Sequence, residues 1–256
     1  MNFPKFWAHG ESGSFSSWRW SDSSVEEARL LAHEAAVRLE RRFRETGRLV
    51  DRYGYPDRPL REPVLRELCD PSGRVAHVIT RNSYGCQVLN SARALFADVD
   101  LPGELREAAA IDKARQWAQS QPGWNWRIYR TKAGLRLLAT HALFDPADGV
   151  CESVFEALGA DPLYRKLCQT QKCFRARLTP KPWRCAMPNP PARWPFADFS
   201  RERAFADWDA RYQSACRARA TCQLVDQGAG QIHAELEPLI ALHDEMTRAA
   251  SGLALG

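Results

Sequence analysis

The sequence predicts an α+β fold in which a mixed sheet is flanked by an N-terminal helix and a C-terminal helical extension. Short apolar stretches bounded by turn residues alternate with longer segments of helical periodicity, and no internal repeat is visible. Apolar residues make up 45% of the 256 residues and there are nine Trp, enough for a folded core. We expect an N-terminal arm and helix over residues 1–60, an α+β core over 61–195 and a C-terminal helical segment over 196–256.

The first 22 residues are rich in Trp, Ser and Gly and predict an irregular arm held by its aromatic side chains. A helix is expected from about Val25 to Thr46, because residues 22–24 offer N-caps and Gly47 can end it. Residues spaced three or four apart supply its apolar face: Ala28, Leu31, Ala35, Leu39 and Phe43. The loop 51–59 follows.

The remaining chain predicts strands and helices in alternation. Alternating apolar residues and turn signals predict strands at 75–80, 93–99, 124–130, 135–141 and 173–178. Helical periodicity predicts helices at about 104–119, 152–158, 201–222 and 231–250, with a Pro-rich connector over 180–195.

Two long stretches contain cations and lack acids. Residues Pro162 to Ala197 include eight Lys or Arg and no Asp or Glu, and Lys113 to Phe144 include six cations and no acid. The net charge of +5 is modest, so its uneven distribution is what favours a polyanionic partner. Cations beside a few carboxylates are typical of sites for metal ions and phosphates.

Eight Cys are scattered through the chain without a CxxC pair. We interpret them as buried thiols, with a structural Zn²⁺ site as an alternative that would use Cys168, Cys173 and Cys185 with Cys216 or Cys222. No run of 18 apolar residues and no apolar signal core occur, so we expect a cytoplasmic protein without a membrane span.

The apolar strand LFADVD ends in two carboxylates. Asp98 and Asp100 lie two residues apart and should therefore face the same side of their strand. Two like charges there repel unless a cation binds between them. A solvated end of a strand explains the same pattern.

The segment YRTKAGLRLLATH predicts a hairpin whose turn spans Thr131 to Gly134. Gly134 would let the backbone approach a ligand closely, and Arg136 begins the second strand. The alternative is an ordinary hairpin with one exposed Arg.

Arg175 and Arg177 share one face of the predicted strand CFRARL, and Lys181 follows in the next turn. Paired guanidiniums are expected opposite phosphates or carboxylates, although a basic edge strand that resists aggregation is the alternative.

In the turn after strand 75–80, Arg81 could reach a phosphate and Tyr84 could stack on a base, and a plain turn is equally compatible.

These motifs resemble, in order, those of the archaeo-eukaryotic primase superfamily, most closely its primase-polymerase branch. Residues 95–100 resemble the family's hydrophobic strand ending in Asp-x-Asp, and residues 131–136 its small-residue turn before a phosphate-contacting His, where this chain has Arg136. The third motif, an Asp followed by a Tyr and a basic strand, is resembled by Asp161, Tyr164, Phe174, Arg175, Arg177 and Lys181.

The resemblance implies a sheet related to the RNA-recognition fold and a site with two divalent ions, Mg²⁺ or Mn²⁺. Asp98, Asp100 and Asp161 would be the catalytic and metal-binding carboxylates. Cationic side chains would bind the nucleotide's triphosphate: Arg136, Arg175, Arg177 and Lys181, with Arg81 added from the turn described above. The arginines at 201, 203, 211, 217 and 219 could contact a single-stranded template, or simply form a solvated helix face.

Three functions therefore follow as expectations. The first is a metal-dependent nucleotidyltransferase that uses nucleoside triphosphates and a single-stranded template, with any helicase as a separate partner. The second is a degenerate member that binds nucleotide or nucleic acid without turnover, because Arg136 replaces the motif-two His. The third is a phosphoesterase that uses the same carboxylates.

Overall fold

A computed structural model describes residues 1–48, 59–101 and 107–256, and it confirms the α+β class. The helices in these ranges are α1 Val25–Thr46, α2 Glu107–Ser120, α3 Gly149–Leu158, α4 Pro162–Gln171, α5 Phe199–Cys216 and α6 Glu237–Thr247. The strands are β1 Phe6–Ser12, β2 Phe15–Ser21, β3 Val64–Cys69, β4 Val75–Arg81, β5 Gln87–Ser91, β6 Phe96–Asp100, β7 Trp126–Thr131, β8 Gly134–Ala139, β9 Phe174–Arg177 and β10 Cys222–Asp226. Residues 51–58 of the expected loop and 104–106 of the expected second helix lie outside the described residues.

The expectation of an irregular N-terminal arm is wrong, because β1 and β2 pair antiparallel along their whole length. Gly13 makes the turn at φ 55°, a left-handed conformation that suits Gly. Opposite each other in the ladder, Trp7 and Trp20 bring their ring centroids to 5.3 Å. The three Trp residues of this segment, at positions 7, 18 and 20, thus share one face of a regular hairpin.

Helix α1 has the predicted bounds and packs on the hairpin. Ser24 accepts a hydrogen bond from the Glu27 N–H at 3.1 Å, and Gly47 ends the helix at φ 65°. The buried side chains of α1 are all alanines, at positions 28, 32, 35 and 36. The expected apolar face is therefore only partly correct, because Phe43, which was expected on it, is exposed. Small residues are required because the hairpin backbone comes very close: a Cβ on Gly10 would lie 2.3 Å from the Ala32 carbonyl carbon.

Two four-stranded sheets form the rest of the core, with strand orders β10-β7-β8-β6 and β3-β4-β5-β9. Every pair of named strands in the described residues is antiparallel, so the expected mixed sheet is not observed. The predicted hairpin and the strands at β4 and β9 are found, and β3, β5, β10 and α4 were not predicted.

The two sheets meet along β6 and β9. The Tyr164 hydroxyl on α4 donates to the Phe96 carbonyl oxygen at 2.8 Å and accepts from the Arg175 N–H at 3.3 Å. Tyr164 therefore bridges the two edge strands that carry the predicted site residues.

The C-terminal segment completes one sheet and covers it. Strand β10 pairs with β7, and the core contains Leu236, Leu239 and Ile240 from the region of α6. The two helices expected here are found at α5 and α6, with β10 between them. None of the described helices is long and apolar enough to cross a membrane.

Candidate functional site

Asp98 and Arg136 form an ion pair where β6 and β8 run side by side. They are directly opposite in the ladder, so their side chains project from the same face. The Arg136 Nε donates to Asp98 Oδ1 at 3.0 Å and Nη2 to Oδ2 at 3.4 Å. The Arg136 side chain is only 2% exposed, whereas that of Asp98 is 28% exposed. Although burial alone would lower the pKa of Arg136, the Asp98 carboxylate holds it above its ordinary value.

The third nitrogen of the Arg136 guanidinium, Nη1, also has partners within the protein. Nη1 donates to the Arg177 carbonyl oxygen on β9 at 2.8 Å and lies 3.5 Å from His243 Nε2 on α6. A buried guanidinium with these partners fixes Asp98 and links the two sheets. The expected contact of Arg136 with a triphosphate does not fit this environment, because the side chain is enclosed.

Asp100 and Asp161 lie beside Asp98. The Asp161 N–H donates to the Asp98 carbonyl oxygen at 3.0 Å, and its Oδ1 caps α4 by accepting from the Tyr164 N–H at 2.7 Å. Part of the Asp100 side chain is exposed to solvent. The burial of the remaining part, together with the charges of Asp161 and Asp98, raises the pKa of Asp100. We call these three carboxylates the acid cluster. Gly134 acts in strand pairing, since a Cβ there would meet the Val99 carbonyl oxygen at 2.0 Å.

Arg177, Lys181 and Arg184 form a cation cluster near Asp100 of the acid cluster. Burial and repulsion from Arg177 and Arg184 lower the pKa of Lys181, while burial and repulsion from Arg177 lower that of Arg184. Asp100 acts on both in the opposite direction. Within the described residues none of the three side chains has an ion-pair partner at salt-bridge distance. Mutually repelling cations beside carboxylates are what an anion and a metal ion together would neutralise.

Arg175, in contrast, is committed to a buried structural ion pair. Its Nη2 lies 2.8 and 2.9 Å from the Glu62 carboxylate oxygens, and Nη1 donates to Asn90 Oδ1 at 2.6 Å. Both charged side chains are 8% exposed, and Thr80 donates to Glu62 at 2.5 Å. The expected role of Arg175 in holding triphosphate beside Arg177 is therefore wrong, because its guanidinium is already paired with the Glu62 carboxylate.

Arg81 likewise has an acid partner. Its two Nη atoms donate to the two Asp209 carboxylate oxygens on α5 at 2.7 and 2.8 Å, and Nη1 also donates to the Gly85 carbonyl oxygen at 2.9 Å. The pair fixes α5 to the turn after β4. The expected phosphate contact of Arg81 is replaced in this structure by Asp209.

A buried polar network continues from Arg136 into α6. His243 is fully buried, and its Nδ1 lies 3.0 Å from Asp244 Oδ1. Arg127 donates to Asp244 Oδ2 at 2.5 Å, and the Tyr129 hydroxyl donates to Oδ1 at 2.7 Å. Burial lowers the pKa of His243, so its ring is neutral and, with Nδ1–H donating to Asp244, presents a bare Nε2 toward Arg136.

The acid cluster has the donor chemistry for Mg²⁺ or Mn²⁺, since hard cations prefer carboxylate oxygens. Among residues 1–48, 59–101 and 107–256, no three His, Cys, Asp or Glu side chains are gathered as a ready metal site. Mg²⁺ is commonly held by one or two carboxylates together with substrate phosphates, so the cluster fits an ion that arrives with a nucleotide. The cysteines suggested for zinc are not gathered into a group of three or more among the described residues. Cys185 lies near Cys216, and Cys168 lies near Cys173 and Tyr164.

Several site residues carried little signal in the sequence. Arg184 belongs to the cation cluster but lies in the Pro-rich connector, where a short 3₁₀ helix at Pro182–Cys185 presents it. Its position in an acid-free stretch was the available clue. Glu62 and His243 are distant in sequence from Arg175 and Arg136, so only the fold identifies these pairs.

In the comparisons with known proteins, no family model, no curated protein and no solved structure matches this chain.

Proposed function

We propose that the protein binds a nucleoside triphosphate at the junction of the two sheets and acts as a metal-dependent nucleotidyltransferase of the primase-polymerase kind. The observation that supports this most is the cation cluster, whose three side chains repel one another beside Asp100 of the acid cluster. A triphosphate would neutralise the cations, and a divalent ion would neutralise the acids.

Each group has a definite task in this proposal. Arg177 and Arg184 donate to phosphate oxygens through planar guanidiniums, and Lys181 adds a mobile point charge. Asp100 and Asp161, with Asp98, would hold Mg²⁺ or Mn²⁺, which when bound reduces the charge repulsion between phosphate and incoming hydroxyl. Arg136 orients Asp98 from the buried side. Single-stranded nucleic acid would be the template.

Binding without turnover is a second candidate, and one observation favours it. Both Asp98 oxygens are hydrogen-bonded to Arg136, which reduces the charge that this carboxylate can offer to a metal ion. A chain of this kind would retain triphosphate through the cation cluster and leave it unchanged.

The test combines nucleotide binding with product analysis. Wild type, Arg177→Ala, Asp100→Asn and the control Arg42→Ala, which alters an exposed Arg on α1, are incubated with labelled nucleoside triphosphates, Mn²⁺ and a single-stranded template. We expect extension products with wild type and the control, weaker binding with Arg177→Ala, and binding without extension with Asp100→Asn. Binding alone in wild type would support the second candidate, and template degradation would indicate a phosphoesterase. No nucleotide binding at all would refute both binding proposals.

A further inference from the structure

Two exposed aromatic side chains stand next to the cation cluster. Tyr84 is 44% exposed and Trp183 is 50% exposed, and no other Trp in the described part of the chain is as open to solvent. Their ring centroids are 5.4 Å apart with an interplanar angle of 83°. Large aromatic side chains are usually buried in folded proteins, so an exposed pair indicates a contact surface.

The pair is attached to the cation cluster through Trp183 and its neighbours. Trp183 lies between Lys181 and Arg184 on the 3₁₀ helix Pro182–Cys185. The Lys181 Nζ is 5.3 Å from the centre of the Trp183 ring, within cation–π range. Aromatic faces and phosphate-binding groups therefore form one continuous surface.

The backbone beneath both rings is well fixed. The Asn82 side chain accepts hydrogen bonds from the N–H groups of Tyr84 and Cys86 at 3.0 and 3.1 Å. The Cys86 thiol donates to the Pro180 carbonyl oxygen at 3.5 Å, which ties this turn to the segment before Trp183. A preorganised pair of rings loses little conformational entropy when a flat ligand stacks on it.

We infer that Tyr84 and Trp183 form a stacking platform for unpaired bases, and that the partner is a single-stranded nucleic acid whose phosphates contact Lys181 and Arg184. Bases provide flat apolar faces and the adjacent phosphates provide negative charge, which together match an aromatic pair surrounded by cations. The inference rests on the proposed function for its biological context, since it places the template strand beside the triphosphate site. Paired bases in a duplex do not present free faces, so the platform selects single strands.

Binding of a fluorescently labelled single strand of about 20 nucleotides, measured by anisotropy without nucleotide, tests the inference. Trp183→Ala and Tyr84→Ala should each weaken binding by about fivefold or more, the lower end of the range for one base–aromatic stack. Trp183→Phe should retain most of the affinity. The matched control is Phe199→Ala, which removes an aromatic ring that is 76% exposed on α5 and should have no effect.

Two further measurements separate stacking from charge. Trp183→Ala should leave the dependence of affinity on salt unchanged, whereas Lys181→Ala should reduce the slope of log K against log salt by about one phosphate contact. A strand with abasic sites should bind wild type more weakly, and Trp183→Ala should cause no additional loss with it.

Equal single-strand affinity in wild type and both alanine variants would overturn the inference and assign the aromatic pair to another occupant, such as a protein. The nucleotide assay distinguishes this failure from failure of the proposed function. If triphosphate binds through Arg177 while the aromatic variants have no effect, only the platform is refuted. If the aromatic variants weaken strand binding while no triphosphate binds, only the proposed function is refuted.

Discussion

Arg175 and Arg177 lie two residues apart on β9. Among the described residues, however, only Arg175 has an acidic partner at salt-bridge distance, which is Glu62. The alternation of side chains along a strand correctly places both on one face of β9, but it does not predict their partners. Glu62 is more than a hundred residues away from Arg175 and becomes its partner only when β9 pairs with β5. Local pattern therefore predicts the orientation of a side chain and not which charge it meets.

The two arginines should respond differently to truncation. Arg175→Ala leaves Glu62 buried without its partner and should lower the free energy of unfolding by about 3 kcal/mol. Arg177→Ala should change stability by less than about 1 kcal/mol and weaken nucleotide binding. Urea unfolding and nucleotide titration of both variants measure these effects. A stable Arg175→Ala variant with reduced nucleotide affinity would restore the role that the sequence predicted for it.

Arg136 should act as a structural residue. Arg136→Ala removes the partner of Asp98 and the link to β9, so we expect a loss of about 3 kcal/mol in the free energy of unfolding. The control is Arg130→Ala on β7, whose side chain is 46% exposed and whose ion pair with Glu107 should be worth about 1 kcal/mol or less. Similar stabilities of the two variants in urea would show that the buried pair is not structural.

At the scale of elements, the N-terminal helix was predicted accurately and the hairpin beneath it was missed. Capping residues mark helix ends locally, and Ser24 and Gly47 occupy the expected positions. The hairpin has no apolar core of its own and is stabilised by α1, a contact that alternation of Trp and Ser does not reveal. The same contact explains why the buried face of α1 consists of alanines.

Gly10 on β1 is a direct test of this contact. A methyl group at Gly10 would lie 2.3 Å from backbone atoms of α1, so Gly10→Ala should separate hairpin and helix and destabilise the protein by more than about 1 kcal/mol. Gly149→Ala is the matched control, because no atom lies within 4 Å of the added methyl group and its backbone is ordinary. Thermal unfolding of both variants gives the comparison. Equal melting temperatures would show that the hairpin does not depend on close packing.

Helix α6 contributes a titrating residue to the core. Burial lowers the pKa of His243 from 6.5, and an unfolded His binds a proton below about 6.5. Since the unfolded state then holds more protons, stability should fall as the pH drops below 6.5 and level off near the lowered folded pKa. His243→Gln should reduce this slope between pH 6.5 and 5 by up to about 1.4 kcal/mol per pH unit. Urea unfolding across this range checks the expectation, and identical slopes would contradict it.

For the whole molecule, the sequence predicts the class, the order of most elements and the neighbourhood of the acids. The Asp161 N–H donates to the Asp98 carbonyl oxygen, so these two residues lie side by side. Strand β10 and the pairing of the strands outside the predicted hairpin were not predictable, because both depend on contacts between residues far apart in sequence. The stretch CQLVD, for example, begins where the predicted helix 201–222 ends, and it becomes a strand by pairing with β7.

This topology makes the C-terminal segment inseparable from the core. Removal of residues 222–256 deletes β10 and the side chains Leu236, Leu239 and Ile240, so the shortened chain should be insoluble or lack cooperative unfolding. A boundary at residue 195 would instead predict an independent core. Circular dichroism of the truncated chain during heating distinguishes the two, and a cooperative transition like that of the full chain would contradict our expectation.

The buried guanidinium of Arg136 also balances the charge of one of the three carboxylates at the junction between the sheets. It cancels the charge of Asp98 from inside the protein, so the charge left for solvent ions is that of Asp100 and Asp161. One divalent ion balances two carboxylates, whereas a histidine that is neutral at this position would leave an excess that favours a second ion. In the metal site that we propose, the identity of residue 136 would thereby influence how many ions the carboxylates can balance, without that residue touching any of them.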